Sequence, residues 1–208
     1  MQKINKYFPN LTQDQKDKFE KLMVIFPEWN DKINMVSRKD IDQIEVRHIL
    51  HSLAIAKVMN FKDGAEVLDV GTGGGFPGIP MAILFPKVNF YMVDSIGKKI
   101  KVVKDIIEQL GLKNARADHK RAEEVKHKYD FVISRAVTAL PKFTPWVKGK
   151  FKNKNQHHFK NGILYLKGGD LREELAPYGN KPKLYEISEF FEEEFFDTKK
   201  VVYLHMVK

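Results

Sequence analysis

The chain contains no cysteine. That excludes disulfides, thiolate zinc sites, iron–sulfur clusters and a cysteine nucleophile, and it fits a reducing compartment. Long apolar runs are also missing: no window approaches the roughly 18 apolar residues that a membrane span requires. The opening stretch MQKINKYFPNLTQDQKDKF has no apolar core of the secretory kind. A cytoplasmic protein is the expectation. No internal repeat or low-complexity tract is visible. Histidines occur in two near pairs, His48 with His51 and His157 with His158, but no carboxylate cluster joins either. No metal site is therefore expected.

What is present is basic. The 208 residues carry 36 Lys+Arg against 27 Asp+Glu, a formal charge of +9. Such a surplus suits a polyanionic partner such as RNA, and equally a merely lysine-rich surface. With 43% hydrophobic and 30% charged residues the composition is that of a globular chain. One catalytic domain with a modest extension fits the length.

Residues 11 to 60 read as helical. Leu11, Gln15, Phe19, Leu22 and Phe26 recur with a period near 3.6, and Thr12 with Gln15 resembles a capping box. Pro27 should end that helix or begin the next. A second helical stretch runs from Asp40 to Met59. Beyond Gly64 the pattern changes to short apolar runs separated by helices. Strands are expected at Glu66–Val70, Asn89–Asp94, Ala115–Ala117, Phe131–Ser134, Ile163–Leu166, Leu184–Ile187 and Val201–Met206. One clear helix covers Lys98 to Leu110 and stops at Gly111. This alternation predicts an α/β Rossmann-like domain over 62–208, mostly parallel, with an antiparallel C-terminal edge. Residues 1–61 would form a helical extension packed on it.

The richest segment is A-E-V-L-D-V-G-T-G-G-G-F-P-G-I-P. A glycine turn between strand and helix lets backbone approach a ligand closely, at the positive end of a helix dipole. Read as Gly73-x-Gly75-x-x-Gly78 it matches a dinucleotide fingerprint, which alone is weak. The strand enters the turn too early for that reading, and Pro77 and Pro80 would distort a pyrophosphate-binding helix start. Read as Asp69-x-Gly71-x-Gly73-x-Gly75, it resembles the first motif of the Rossmann-like S-adenosylmethionine methyltransferases. That cofactor has an ammonium, a carboxylate and a sulfonium rather than phosphates, and Asp69 could help balance its positive end. Asp94 closes the second strand 25 residues on, where a carboxylate can accept both ribose hydroxyls. A helix cap before Ser95-Ile96-Gly97 is the competing role.

Several segments together resemble the glucose-inhibited division protein B family, the bacterial 16S rRNA guanine-N7 methyltransferases. They are W-N-D-K-I-N-M-V (29–36), V-R-H-I-L-H-S-L (46–53), V-L-D-V-G-T-G-G-G-F-P-G-I-P (67–80), V-D-S-I-G-K-K (93–99), K-R-A-E-E (120–124), Y-D-F-V-I-S-R-A (129–136) and L-Y-L-K-G-G (164–169). The G-F-P-G-I-P extension and the S-R-A triplet are far more specific than G-x-G-x-G. The resemblance implies S-adenosylmethionine as cofactor and 16S rRNA, free or in the small-subunit particle, as partner; a monomer is the separate expectation. It matches Gly71 and Phe76 to cofactor contacts in the loop, Ala122 and Glu123 to the adenine, and Arg135 to the arginine closing the site. The sequence departs from the family at His51, where R-H-x-x-D-S has Asp. The acidic-aromatic run E-F-F-E-E-E-F-F-D (189–197) has no functional reading; its aromatics should pack inward.

Guanine N7 has a lone pair and no proton to lose, so no side chain is assigned as acid or base. Catalysis would rest on positioning, with Arg135 the foremost candidate. Arg121 and Arg135 could grip a phosphate or the guanine edge. Lys167 of the L-Y-L-K-G-G segment belongs with the candidate RNA contacts. So do Lys150, Lys152 and Lys154, since the lysine run at 147–160, interleaved with aromatics, suits single-stranded RNA; a plain solvated loop is its competitor. Two other functions remain open at this stage: a methyltransferase of a different substrate, and an inactive RNA-binding protein on the same scaffold.

Overall fold

The computed structural model describes residues 1–207, without the side chains of Arg38 and Lys39. The chain begins with helices α1 (Gln2–Tyr7), α2 (Gln13–Ile33) and α3 (Arg38–Ile41). A π-helical turn (Glu45–Leu50) then leads into α4 (His51–Val58). The α/β part follows as β1 (Glu66–Val70), α5 (Gly78–Leu84), β2 (Asn89–Asp94), α6 (Gly97–Gln109), β3 (Ala115–His119), β4 (Phe131–Arg135), α7 (Leu140–Val147) and β5 (Gly162–Gly168). It closes with α8 (Arg172–Leu175), β6 (Lys183–Glu186) and β7 (Lys199–His205).

The seven strands form one sheet in the order β3-β2-β1-β4-β5-β7-β6. Strands β1 to β5 are parallel, and β7 runs antiparallel between β5 and β6. This is the expected sheet with its antiparallel edge. Alternation along the central strands sorts side chains onto two faces. Val67, Phe90, Phe131 and Leu164 join one core, which continues through α4, α5 and α6 to α2 and α1. Leu68, Tyr91, Val132 and Ile163 meet α7 on the other face. The N-terminal helices thus share a core with the sheet. Phe61, at the junction, packs on Phe85, Phe90 and Phe131.

Two local expectations differ from the structure. Helix α2 starts at the Thr12–Gln15 capping box but runs straight through Pro27 to Ile33. Proline removes one backbone N–H, and burial of Phe26 before it and Asn30 after it holds the helix together. Asn30 then ends the helix, because its side chain accepts from the Met35 and Val36 amides and donates to the Val36 carbonyl. The second helical stretch is also interrupted, by the π-helical turn, which directs Arg47, His48 and His51 toward the sheet's C-terminal end. In the 189–197 run Phe191 and Phe196 pack inward and are buried, while Phe190 and Phe195 are half-buried. Its carboxylates reach α1: Glu193 pairs with Lys3 at 3.1 Å and accepts from Tyr7 at 3.1 Å.

Candidate active site

Between β1 and β4 the strand order reverses, and the crevice beyond the strands' C-terminal ends is where open α/β sheets bind ligands. A cleft of about 780 Å³ lies there. Its walls come from the glycine loop after β1, the ends of β2, β4 and β5, the turn after β3, the π-helical turn and the segment leading into β7.

The glycine loop is tied down by backbone bonds from the Gly71 and Thr72 amides to the Val93 carbonyl, at 2.8 and 3.1 Å. Gly71 and Gly73 both have positive φ, +69° and +59°. They differ in what lies beside them. A Cβ on Gly71 would come within 2.4 Å of Val137, whereas one on Gly73 would meet nothing within 4 Å. Gly71 is therefore glycine for packing, and Gly73 is the position that leaves the cleft floor bare.

Asp69 and Asp94 have different roles. Asp69 is fully buried beneath the loop and does not line the cleft. Its Oδ2 accepts from Thr72 Oγ1 at 2.6 Å and from the Gly78 amide at 2.9 Å. Burial raises its carboxyl to about 7 against the pull of those two hydrogen bonds. The role expected for Asp69, balancing the cofactor's positive end, is thus corrected: the side chain braces the loop from below, outside the cleft lining. Asp94 does line the cleft. Its oxygens accept from the Gly73 and Ile96 amides, each at 2.9 Å. Each carboxylate oxygen has a second lone pair free for a hydroxyl donor. Helix α6 begins only at Gly97, with Ile96 as its N-cap residue, so Asp94 is not its cap. Ala122 and Glu123 lie on the 3-10 turn after β3 and line the same cleft, as does Arg121 beside them.

Arg135, at the end of β4, points toward the helical extension. Its guanidinium donates to the Arg47 carbonyl at 3.1 Å and to His48 Nδ1 at 2.8 Å, and lies 5.2 Å from the Phe76 ring centre. Burial brings it down to about 10, so it stays cationic at neutral pH. His48 is held down to about 3 by burial and then by the Arg135 charge, and is therefore neutral. Because Nδ1 accepts from arginine, the ring proton sits on Nε2. Phe76 is buried, edge-on to Phe26 at 4.9 Å, and presents only part of its ring to the cleft. His51 is also neutral through burial, and packs edge-on to Phe195 at 5.5 Å.

The expected RNA contacts divide sharply. Lys167 reaches the cleft, bonded to Glu174 at 2.8 Å and the Thr138 carbonyl at 2.6 Å. Lys150, Lys152 and Lys154 do not. Lys150 is buried, its amine bonded to the carbonyls of Glu123 and Val125. Lys152 pairs with Glu66 at 2.7 Å and Asp130 at 2.9 Å. Those carboxylates stand where β1 and β4 begin, so Lys152 lies at the opposite end of the strands from the cleft, while the Lys150 amine is occupied by backbone carbonyls of the segment that carries Glu123. Lys154 is exposed. The sequence showed the run's charge but not which end of the sheet would receive it. The positive charge at the cleft comes instead from Arg47, Lys99, Lys120, Arg121, Arg135, Lys167 and Lys199, against Asp40, Asp94 and Glu123. Lys99 and Lys120 carried a signal, since they flank the strand-end motifs. Trp146, Phe195 and Lys199 come from segments with no motif of their own.

Among known families, the model for rRNA small subunit methyltransferase G, GidB, matches residues 15–203. The chain belongs to that family. A Flavobacterium johnsoniae protein named ribosomal RNA small subunit methyltransferase G is 59% identical over 204 residues, covering 98% of this chain and 97% of that one. The protein of the same name from Bacteroides thetaiotaomicron is 51% identical over 203 residues, covering 98% of each chain. Among solved structures, a SAM-dependent methyltransferase from Aquifex aeolicus superposes with a TM-score of 0.54 at 17% identity, covering 78% of this chain and 97% of that one. A ribosomal protein L11 methylase from Lactobacillus delbrueckii reaches 0.55 at 16% identity, covering 75% and 76%. These two speak for the fold alone. As a member of the rRNA small subunit methyltransferase G family, the chain is an S-adenosylmethionine-dependent methyltransferase of small-subunit ribosomal RNA. Among the described residues no group of three or more His, Asp or Glu could hold a metal ion, and no helix is long and apolar enough to cross a membrane.

Proposed function

We propose that the cleft carries out methyl transfer to N7 of a guanine in 16S rRNA, with the cofactor lying across Gly73 and its ribose against Asp94. The observation that carries this reading is the pairing of two unlike walls in one crevice. On one side stand a bare glycine floor and a carboxylate already fixed by two amides; on the other, cationic side chains that suit a polyanion. Bound S-adenosylmethionine would supply the activated methyl group. Gly71 and Phe76 would shape the loop around it, and Ala122 and Glu123 would meet the adenine. Arg121, Arg135 and Lys167 would face the RNA, with Arg135 fixing the position of the guanine edge.

Because N7 attacks with a lone pair and releases no proton, the site needs alignment rather than a base. The neutral state of His48, which already accepts a hydrogen bond from Arg135, is consistent with that. The protein would act as a monomer in the cytoplasm, on free rRNA or on the small-subunit particle. The test is incubation of 16S rRNA and of small-subunit particles with labelled cofactor, followed by digestion to nucleosides. Label in 7-methylguanosine is the expected result. Label in any other nucleoside would overturn the N7 assignment, and label in neither RNA would overturn the substrate.

A further inference from the structure

The aromatic run at 189–197 puts a feature at the cleft that the reading above leaves unused. Phe195, on the turn Glu194–Phe196, is half-buried and lines the cleft. Two cations sit against its ring. The Arg47 guanidinium lies 5.3 Å from the ring centre and the Lys199 amine 5.0 Å. Both residues line the cleft too.

The chemistry of that seating matters. A carboxylate that held these cations would cancel their charge, but an aromatic ring holds a cation by its quadrupole and leaves the charge intact. Lys199 has no carboxylate partner among the described residues, and Arg47 has Asp40 at 2.7 Å. His51, edge-on to the same ring, is neutral and brings no compensating charge. Gly168 makes room: a Cβ there would come within 3.1 Å of the Lys199 amine. Lys199 thus brings to the cleft wall a positive charge with no carboxylate partner among the described residues, beside an Arg47 whose charge Asp40 partly balances.

We propose that Phe195, Arg47 and Lys199 form a phosphate clamp that holds the backbone of the substrate RNA beside the methylated nucleotide. The inference rests on the rRNA reading above, and it moves the RNA footprint from the lysine run at 147–160 to this wall. Arg47 also carries the carbonyl that receives Arg135. A phosphate held at the clamp therefore bears on the same turn that orients the arginine of the site.

The test measures RNA binding and cofactor binding separately. Lys199→Gln should reduce the slope of log affinity against log salt by roughly 0.7–0.9 for the one lost phosphate contact. Lowering salt from about 200 to 50 mM would then recover about threefold less affinity than in the wild type. Phe195→Leu should weaken RNA binding as well, since both cations lose their seat. S-adenosylmethionine affinity should be unchanged in either variant, and Lys154→Gln should leave the RNA slope at its wild-type value. A wild-type slope in Lys199→Gln, or a reduced slope in Lys154→Gln, overturns the clamp. Wild-type protein that binds rRNA without methylating it would instead count against the function, leaving the clamp to be judged by the slopes.

Discussion

Replacing Gly73 with alanine isolates the cofactor's approach to the glycine loop. The backbone at Gly73 has φ +59°, where an L side chain costs roughly 1–2 kcal/mol. Part of that is offset by the about 0.4–1 kcal/mol gained from stiffening the unfolded chain. The added methyl meets no protein atom within 4 Å, so no clash adds to the cost. Net destabilisation should stay near ~1 kcal/mol, a fall in Tm of about 2–4 °C for a domain of this size. The methyl would stand in the space assigned to the cofactor. Overpacking of about 1–3 kcal/mol corresponds to a loss of S-adenosylmethionine affinity of roughly 5- to 150-fold, measurable by isothermal titration calorimetry. Gly71→Ala gives the contrast. Its φ is equally positive and its Cβ would lie 2.4 Å from Val137. Stability should therefore fall further, by roughly 2–3 kcal/mol, and truncating Val137 to alanine in the same protein should restore part of it. A Gly73→Ala protein that melts near wild type and binds cofactor with wild-type affinity would refute the assignment of the cleft floor.

Asp94→Asn should weaken cofactor binding by about 1.5–3 kcal/mol, the worth of a charged hydrogen bond, and should lower Tm modestly because the same oxygens receive the Gly73 and Ile96 amides. Stability loss without affinity loss would leave Asp94 as a brace only. For Asp69, the folded carboxyl is raised to about 7 from an unfolded value of 3.8. Its stabilising contribution is therefore full below pH 3.8 and is lost as pH rises through about 7. Asp69→Asn should flatten this part of the stability profile in denaturant titrations at stepped pH, and an unchanged profile would mean the carboxyl does not titrate there. Lys152→Gln should cost about 1–3 kcal/mol of stability, since buried Asp130 loses its cation. Urea melts that match wild type would show this ion pair to be idle.

Much of the fold was legible because its signals are local. Strand runs, the Thr12–Gln15 cap and the stop at Gly111 are each written within a few residues, and the sheet's antiparallel edge followed from the short spacing of the last two strands. Pro27 misled because packing on both sides of it outweighs one missing amide. The glycine loop and Asp94 were readable for the same local reason, being adjacent to strand ends. Asp69 was not, because sequence does not say which side of a turn a strand-end side chain takes. Lys150 and Lys152 misled in the opposite way. Their charge is plain, but the carboxylates and carbonyls that consume it, at Glu66, Asp130, Glu123 and Val125, lie elsewhere in the chain. Phe195 and Lys199 could not be found, since their neighbour Arg47 is about 150 residues away in sequence.

The position of β7 between β5 and β6 also shapes how the chain must be made. Strand β5 carries Ile163, Leu164, Tyr165 and Leu166, all buried, and its outer edge is satisfied only by β7. During synthesis that edge stays open, apolar on both faces and rich in unpaired amides, until β7 has emerged and paired with it. An open edge of this kind is a template for pairing with other chains. A product truncated ahead of Lys199 would retain its glycine loop yet leave this buried apolar strand open along its edge.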